Sequence, residues 1–287
     1  MEKPVWLKVR HKADYDLNTV EDTIGDLSIH TVCDYAACPN RSECYGKQTA
    51  TFLILGNTCT RTCKFCNIEH QREMSVNENE PALIKEAVKR LNLKHVVITS
   101  VTRDDLKDGG ADHFVKVIDA VKSLDNKPVV EVLIPDLKGS KTSIESILKA
   151  EPEVFGHNVE TVSRLYSNVR PEAIYQRSLE VLQQAALSDY NVHVKSGFML
   201  GLGETEEEVI GLLEDLYRVG CKIVTIGQYL APSSEHYPVI EYIEPSRFKY
   251  YEKVAYEIGF IYVASDSFVR SSYMAHEAMN TIENSQM

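Results

Sequence analysis

From residue 51 onward the chain alternates between two kinds of segment, and this alternation constrains the fold more than any other feature. Short, nearly continuous apolar and β-branched runs occur at 51–55, 95–101, 129–134 and 153–158, and again at 192–201, 222–230 and 260–265. Continuous rather than alternating apolar character is the pattern of parallel strands covered on both faces. Between the runs lie stretches of helical period at 81–92, 111–124, 141–151, 174–187, 204–220 and 245–259. In the fifth of these, Val209, Leu212, Leu213 and Leu216 share one face. Pro81 opens one helix, and Gly220 and Gly259 close two others. Strand–helix units repeated about six times predict a right-handed βα progression, a full or partial (β/α) barrel, with a doubly wound sheet as the main alternative. In either fold ligands collect at the C-terminal ends of the strands. The polar residues there, Asn57, Thr99, Ser100, Asp136 and Asn158, then Lys195, Ser196 and Gln228, are therefore expected to line the site.

A length of 287 residues is compatible with one such barrel. With Lys plus Arg at 31 and Asp plus Glu at 42, the net charge of −11 argues against general nucleic-acid binding, which needs cationic side chains on phosphates. The amino-terminal stretch has no signal-type apolar core and no segment approaches a membrane span, so a cytoplasmic protein without a membrane partner is expected. In a reducing compartment seven cysteines do not read as disulfides. Six of them, Cys33, Cys38, Cys44, Cys59, Cys63 and Cys66, cluster in one short region, which favours metal or cluster ligation. Cys221 opens an apolar run and reads as a small core hydrophobe.

The second triplet, CTRTCKFC, spaces Cys59, Cys63 and Cys66 as C-x3-C-x2-C directly after the first strand. Three thiolates on one loop suit three corners of a cubane iron–sulfur cluster and leave the fourth iron open. Zinc held by these cysteines and His70 is the competing reading. The loop, with Phe65 before its third cysteine, resembles the signature of the radical S-adenosylmethionine (SAM) superfamily. That resemblance implies a 4Fe–4S cluster whose open iron chelates SAM, and reductive cleavage of SAM to methionine and a 5′-deoxyadenosyl radical.

The first triplet, Cys33, Cys38 and Cys44, is spaced C-x4-C-x5-C, and RSSY stands at 270–273. The pair is similar to the lipoyl synthase family, as are ATFLILGNTCTR, HVVITSVTRDDLKDGGADHF, EVLIPDLKG, HNVETV, YQRSLEVL, KSGFMLGLGETEEEV and TIGQYLAPSSEHYPV. Two positions depart from that family's pattern: Gly156 precedes His157–Asn158, and Met274 follows RSSY. The resemblance implies a second, auxiliary 4Fe–4S cluster held by the first triplet and a serine, Ser272 with Ser271 as second choice. A hydroxyl is a hard ligand on iron that prefers sulfur, so this corner is the easiest to displace. The implied organisation is an extension at 1–50, a radical SAM barrel at 51–264 and a second extension at 265–287.

The implied reaction inserts two sulfur atoms at C6 and C8 of a protein-bound octanoyl chain, with Ser272, Cys59, Cys63 and Cys66 as the catalytic set. Implied partners are octanoylated carriers, namely glycine-cleavage H protein and acyltransferase subunits of 2-oxoacid dehydrogenases, and an electron donor such as ferredoxin or flavodoxin. A monomer is expected, since no helix carries a sustained coiled-coil stripe. The segment 197–204, which includes Gly201, resembles the stretch along which the adenosyl group lies. Thr99 and Ser100 are candidates for the methionyl amino group, Asn158 and Glu160 for the ribose, and Lys195 or Arg170 for the carboxylate. Asp104 and Asp105 read as turn and helix-capping residues, 204–208 as a solvated helix start, and His157, His193 and His236 as structural. Tyr45 and Tyr273 are expected to pack around the auxiliary site. The rivals are another radical enzyme forming a C–S bond and a non-catalytic zinc or electron-carrier protein.

Overall fold

A computed structural model describes residues 2–8, 18–36, 38–46, 50–71, 75–273 and 275–285. In chain order its elements begin with α1 (Asn18–Leu27), β1 (His30–Thr31), α2 (Val32–Tyr35), α3 (Arg41–Gly46), β2 (Thr51–Ile54), β3 (Thr58–Cys59) and β4 (Glu69–His70). The central units are α4 (Glu80–Arg90), β5 (His95–Ser100), α5 (Ala111–Lys122), β6 (Val129–Leu133), α6 (Lys141–Lys149) and β7 (Val154–Gly156). The chain continues through α7 (Tyr166–Val169), α8 (Tyr175–Ala186), β8 (His193–Leu200), α9 (Glu206–Arg218), β9 (Ile223–Gln228), α10 (Pro245–Ile258), β10 (Tyr262–Ser265) and α11 (Ala275–Ser285).

The main sheet runs β1-β2-β5-β6-β7-β8-β9-β10. Only β1 is antiparallel to its neighbour, and every other pairing is parallel. Strand order follows chain order without reversal, which excludes the doubly wound alternative. Among the described residues β10 bonds to β9 alone, so the barrel is partial and open on one side. The six helical stretches anticipated between strands all form, and buried faces such as Val209, Leu212, Leu213 and Leu216 of α9 cover the sheet. Thr205 and Glu208 form a reciprocal capping box at the start of α9.

Three expectations are corrected. The run 153–158 yields only Val154–Gly156, because the chain parts from the sheet after His157 and returns to it only through a single bridge from Glu160, whose φ is 65°, to Phe198 of β8. Glu204 is not a solvated helix residue: its carboxylate accepts the main-chain N–H groups of Gly201 at 2.5 Å and Leu202 at 2.9 Å. Asp104 and Asp105 sit in a turn, as expected, closed by Leu106 N on Arg103 O at 3.0 Å, but they do not cap the following helix, whose N-cap is Gly110; instead they receive the guanidinium groups of Arg61 and Arg103. His157 is structural, as expected. Its Nδ1 bonds to the Ile134 carbonyl at 2.9 Å and its Nε2 to Ser178 Oγ at 3.0 Å.

The wide end of the barrel, where the strands finish, holds the site, and the opposite end is closed. Ala278, Met279 and Ile282 of α11 pack on the first residues of strands, Val129, Val154, Ile223 and Tyr262. Above this floor Glu131 bridges His95 and Lys195, its carboxylate 2.6 Å from Lys195 Nζ and 3.2 Å from His95 Nε2. Among the described residues no helix is long and apolar enough to cross a membrane.

Candidate active site

Cys59, Cys63 and Cys66 lie on the loop that leaves β2, and main-chain bonds to neighbouring strand-end loops hold it. Thr60 N donates to Thr102 O at 3.0 Å and Lys64 N to Val169 O at 2.9 Å. Arg61, between the first two cysteines, provides the electrostatic anchor. Its guanidinium spans Asp104, at 2.7 and 3.0 Å, and Asp136, at 2.7 Å, while Arg177 reaches the other Asp136 oxygen at 3.3 Å. Although burial opposes it, the Arg61 cation depresses the Asp136 carboxyl to about 2. A charge pair of this kind is costly to break from one side, so the loop is rigidly placed.

The thiols of this loop interact electrostatically with one another and none is in a disulfide. Burial pushes Cys66 up to about 12 and also raises Cys63, against the pull of Arg170. Buried thiols that resist ionisation alone become good ligands once a cation supplies the missing charge. Three soft donors on one half-buried loop therefore fit an iron–sulfur cubane. Among the described residues, no three His, Cys, Asp or Glu side chains converge on a single ion, and His70 is exposed.

The first triplet is built on α2 and α3. Asp34, next to Cys33, accepts from Thr31 Oγ1 at 2.6 Å, Tyr45 Oη at 2.6 Å and Arg41 Nε at 2.5 Å. Burial works the other way, but these bonds hold the Asp34 carboxyl below its ordinary value. Because Tyr45 follows Cys44, this carboxylate ties the first cysteine of the triplet to the third. Burial pushes the Cys33 thiol up to about 11. The carboxy-terminal segment joins from the far edge of the sheet: Asn40 Nδ2 donates to Phe268 O at 2.6 Å and Tyr273 Oη to Glu43 at 3.2 Å. Tyr45 and Tyr273 thus do more than pack.

These pieces enclose one cavity of about 420 Å³. Cys33, Cys38 and Cys44 stand on one side with Ser271 and Ser272, and Cys66 lines it as well. Asn158, Glu160, Gly197 and Gln228 contribute from the strand ends, and Phe65, Met199 and Leu230 supply apolar surface. Burial raises the Glu160 carboxyl, while Arg170 and a hydrogen bond from Asn158 favour its charge. A Cβ on Gly197 would stand 2.4 Å from Thr225 Oγ1 and 3.0 Å from Asn158 Oδ1, so glycine is required for the strand end to pass under Asn158.

Other expected contacts are not brought to the cavity. Lys195 is turned toward the floor and paired with Glu131, because it lies two residues below Gly197 on the inward face. Arg170 sits behind the lining, its Nη1 on the carbonyls of Asn158 and Val159 and the Tyr166 hydroxyl; its buried Nε has no partner among the described residues. Thr99 Oγ1 donates to Leu133 O at 2.7 Å, and the buried Ser100 Oγ has no partner among the described residues. Gly201, at φ 96°, lies against Gln228 and Glu241 O rather than in the cavity. Thr225 and Gly227 of β9 line the cavity although no motif singled them out. Their inward alternation within the run 222–230 was the available signal.

Comparison with known proteins agrees with this geometry. A family model described as the radical SAM superfamily matches residues 53–216. A lipoyl synthase from Caldicellulosiruptor saccharolyticus is 54% identical over 98% of this chain and 99% of its own length. Lipoyl synthases from Caldanaerobacter subterraneus subsp. tengcongensis, covering 96% of each chain, and Aquifex aeolicus, covering 92% of this chain and 95% of its own, are each 51% identical. Among solved structures, methylornithine synthase (PylB) superimposes with a TM-score of 0.54 at 15% identity, covering 86% of this chain and 84% of its own. SuiB from Streptococcus suis bound to SAM gives 0.55 at 11% identity, covering 76% and 51%. These two likenesses establish the fold.

Proposed function

The chain belongs to the radical SAM superfamily and, within it, to the lipoyl synthases, and from that premise we propose that it inserts two sulfur atoms, at C6 and C8, into an octanoyl chain carried on a protein lysine. Family membership brings a 4Fe–4S cluster and SAM. When bound, the cluster and SAM supply a primary carbon radical able to remove unactivated hydrogen atoms, and a second cluster supplies the sulfur.

Cys59, Cys63 and Cys66 would hold the first cluster, on the loop anchored by Arg61. Cys33, Cys38, Cys44 and Ser272 would hold the second, so that 1–50 and 265–287 act as ligand-bearing extensions of the 51–264 barrel. Glu160 and Asn158 offer a half-buried acceptor pair suited to ribose hydroxyls, with Arg170 behind them balancing the carboxylate. The apolar surface of Phe65, Met199 and Leu230 suits an alkyl chain and excludes water. The substrates would be octanoylated carrier proteins, with a one-electron donor such as ferredoxin or flavodoxin.

The observation that carries this reading is that all three cysteines of the first triplet, Cys66 of the second and the RSSY serines line one cavity, while Cys59 and Cys63 lie outside its lining. The test is anaerobic reconstitution followed by incubation with SAM, reductant and an octanoyl-lysine peptide. About eight irons and eight sulfides per chain, and a peptide that gains two sulfur atoms, are expected. SAM cleavage with the peptide unchanged would transfer the chain to another radical reaction. Zinc without sulfide would overturn the reading altogether. Ser272→Cys is expected to keep its iron while losing sulfur insertion, because thiolate holds that corner more firmly; full product yield from this variant would remove the labile-corner role.

A further inference from the structure

The two cysteine segments are tied together at one residue. Tyr35 lies between Cys33 and Cys38 and is partly buried. Asn57 Nδ2 donates to its phenol oxygen at 3.2 Å, and the same hydroxyl bonds to His30 Nδ1 at 3.0 Å. The Tyr35 carbonyl accepts from Asn67 Nδ2 at 2.9 Å. His30 stands edge to face on the phenol ring, with centroids 5.2 Å apart and planes at 89°. Asn57 precedes Cys59 by two residues and Asn67 directly follows Cys66. One residue of the first loop therefore grips both flanks of the second.

We infer that Tyr35 is a positioning residue that fixes the separation of the two cluster-binding loops and so couples SAM cleavage to sulfur insertion, an inference that rests on reading both triplets as cluster ligands. Two abstractions at carbons two bonds apart must be served by one radical source and one sulfur source. The tolerance in their spacing is therefore small, and misplacement by about an ångström can cost a hundredfold in rate. Apolar packing permits sliding, whereas directional bonds from two flanks onto a rigid ring do not. The His30 ring blocks rotation of the phenol away from Asn57.

The experiment uses the full reconstituted chain and Tyr35→Phe, which keeps the ring and removes the hydroxyl bonds. Pulsed EPR between the two reduced clusters is expected to give a broader distance distribution than in the wild type. The ratio of lipoyl product to 5′-deoxyadenosine should fall about tenfold, with iron and sulfide content unchanged. In the metal-free chain, amide exchange over 57–68 should accelerate. Asn67→Ala, which removes the remaining bond, should reproduce the broadening. Tyr175→Phe, whose hydroxyl bonds Asp215 at 2.8 Å on the outer helices, should not. An unchanged distance distribution and product ratio would refute the strap, and loss of auxiliary iron would make Tyr35 a scaffold residue instead. If the wild type forms no lipoyl product the proposed function fails, while the distance and exchange measurements still decide the strap.

Discussion

Gly227→Ala is the sharpest test of how the auxiliary site is assembled. Gly227 lies on the inward face of β9, and the segment leading to RSSY crosses directly over it. An added Cβ would stand 2.1 Å from Val269 O, 3.1 Å from its carbonyl carbon and 3.3 Å from Arg270 Nη1. Real Cβ atoms keep at least 3.0 Å, so the Val269 backbone must retreat by about 0.9 Å from its 2.1 Å position. The partner is main chain, not a flexible tip, and β9 is bonded on both sides by β8 and β10 and cannot yield. The movement therefore falls on residues 269–272, which carry the serines. Overpacking of this kind costs about 1–3 kcal/mol, a fraction of a domain's stability, so the barrel should survive. An iron ligand displaced by nearly an ångström should not close its corner, since iron–ligand distances tolerate only about 0.2 Å. Mössbauer spectroscopy with iron analysis of the reconstituted variant is expected to show the first cluster intact and the second depleted, with total iron falling from about eight toward four. A variant with wild-type iron and unchanged melting temperature would show that the RSSY segment is not seated on β9, and the argument for Ser272 would lose its structural support.

Stability should fall on acidification in two stages. Burial holds the His157 imidazole neutral, with its pKa lowered to about 4 from 6.5. The unfolded chain binds this proton below pH 6.5 and the native chain refuses it until about 4, so about 3 kcal/mol is lost across that interval. Asp136, despite its burial, is lowered to about 2 from 3.8 by Arg61, and roughly 2 kcal/mol more disappears between those values. Urea midpoints for the wild type and His157→Gln should converge as pH falls from 6.5 to 4; parallel curves would contradict the assignment. Glu131→Gln leaves Lys195 as an unmatched buried cation and should cost about 3–5 kcal/mol, a fall of about 10 °C in melting temperature. The double variant Glu131→Gln, Lys195→Met should recover most of it, and failure to recover would mean that the carboxylate acts through His95 instead.

The barrel was legible in the sequence because its signal is local. Each strand run and each helical stretch must bury its own apolar face, and observed boundaries lie within a few residues of the pattern. Capping chemistry placed the ends of α4, α9 and α10 for the same reason. The amino-terminal helices carried no comparable signal, since α2 and α3 are single turns held by the bonds of Asp34 to Thr31, Tyr45 and Arg41. Spacing identified the cysteines but not how they meet, which depends on contacts such as Asn40 to Phe268, 228 residues apart. The Lys195 reading missed because strand-end polarity does not tell depth along the inward face. A better indicator was present: Glu131 and Lys195 are acid and base within otherwise apolar strands, and two buried opposite charges of that kind pair with each other before they serve a ligand.

Among the described residues the partial barrel leaves two sheet edges without partners, and an exposed edge recruits unwanted strands. One edge is blunted by β1, only two residues long and antiparallel. At the other, the chain after β10 turns inward instead of extending the sheet: Ser267 O receives Gln228 N at 3.4 Å and Val269 O lies on Gly227. From there α11 passes to the narrow end and seals it with Met279 and Ile282. The residues that cover the open side are thus the ones that bear the first cysteine triplet and the RSSY serines, and Asn40–Phe268 and Tyr273–Glu43 are the seams between them. Edge protection and the proposed auxiliary ligation fall on the same two segments. The joint is made of side-chain hydrogen bonds worth about 1 kcal/mol each, whereas the sheet beneath is continuous and buried. An opening at this joint would therefore expose the proposed auxiliary site while the barrel and the Arg61-anchored loop stay in place. An auxiliary cluster that gave up its sulfur in the proposed reaction would call for that separation between a replaceable wall and a permanent one.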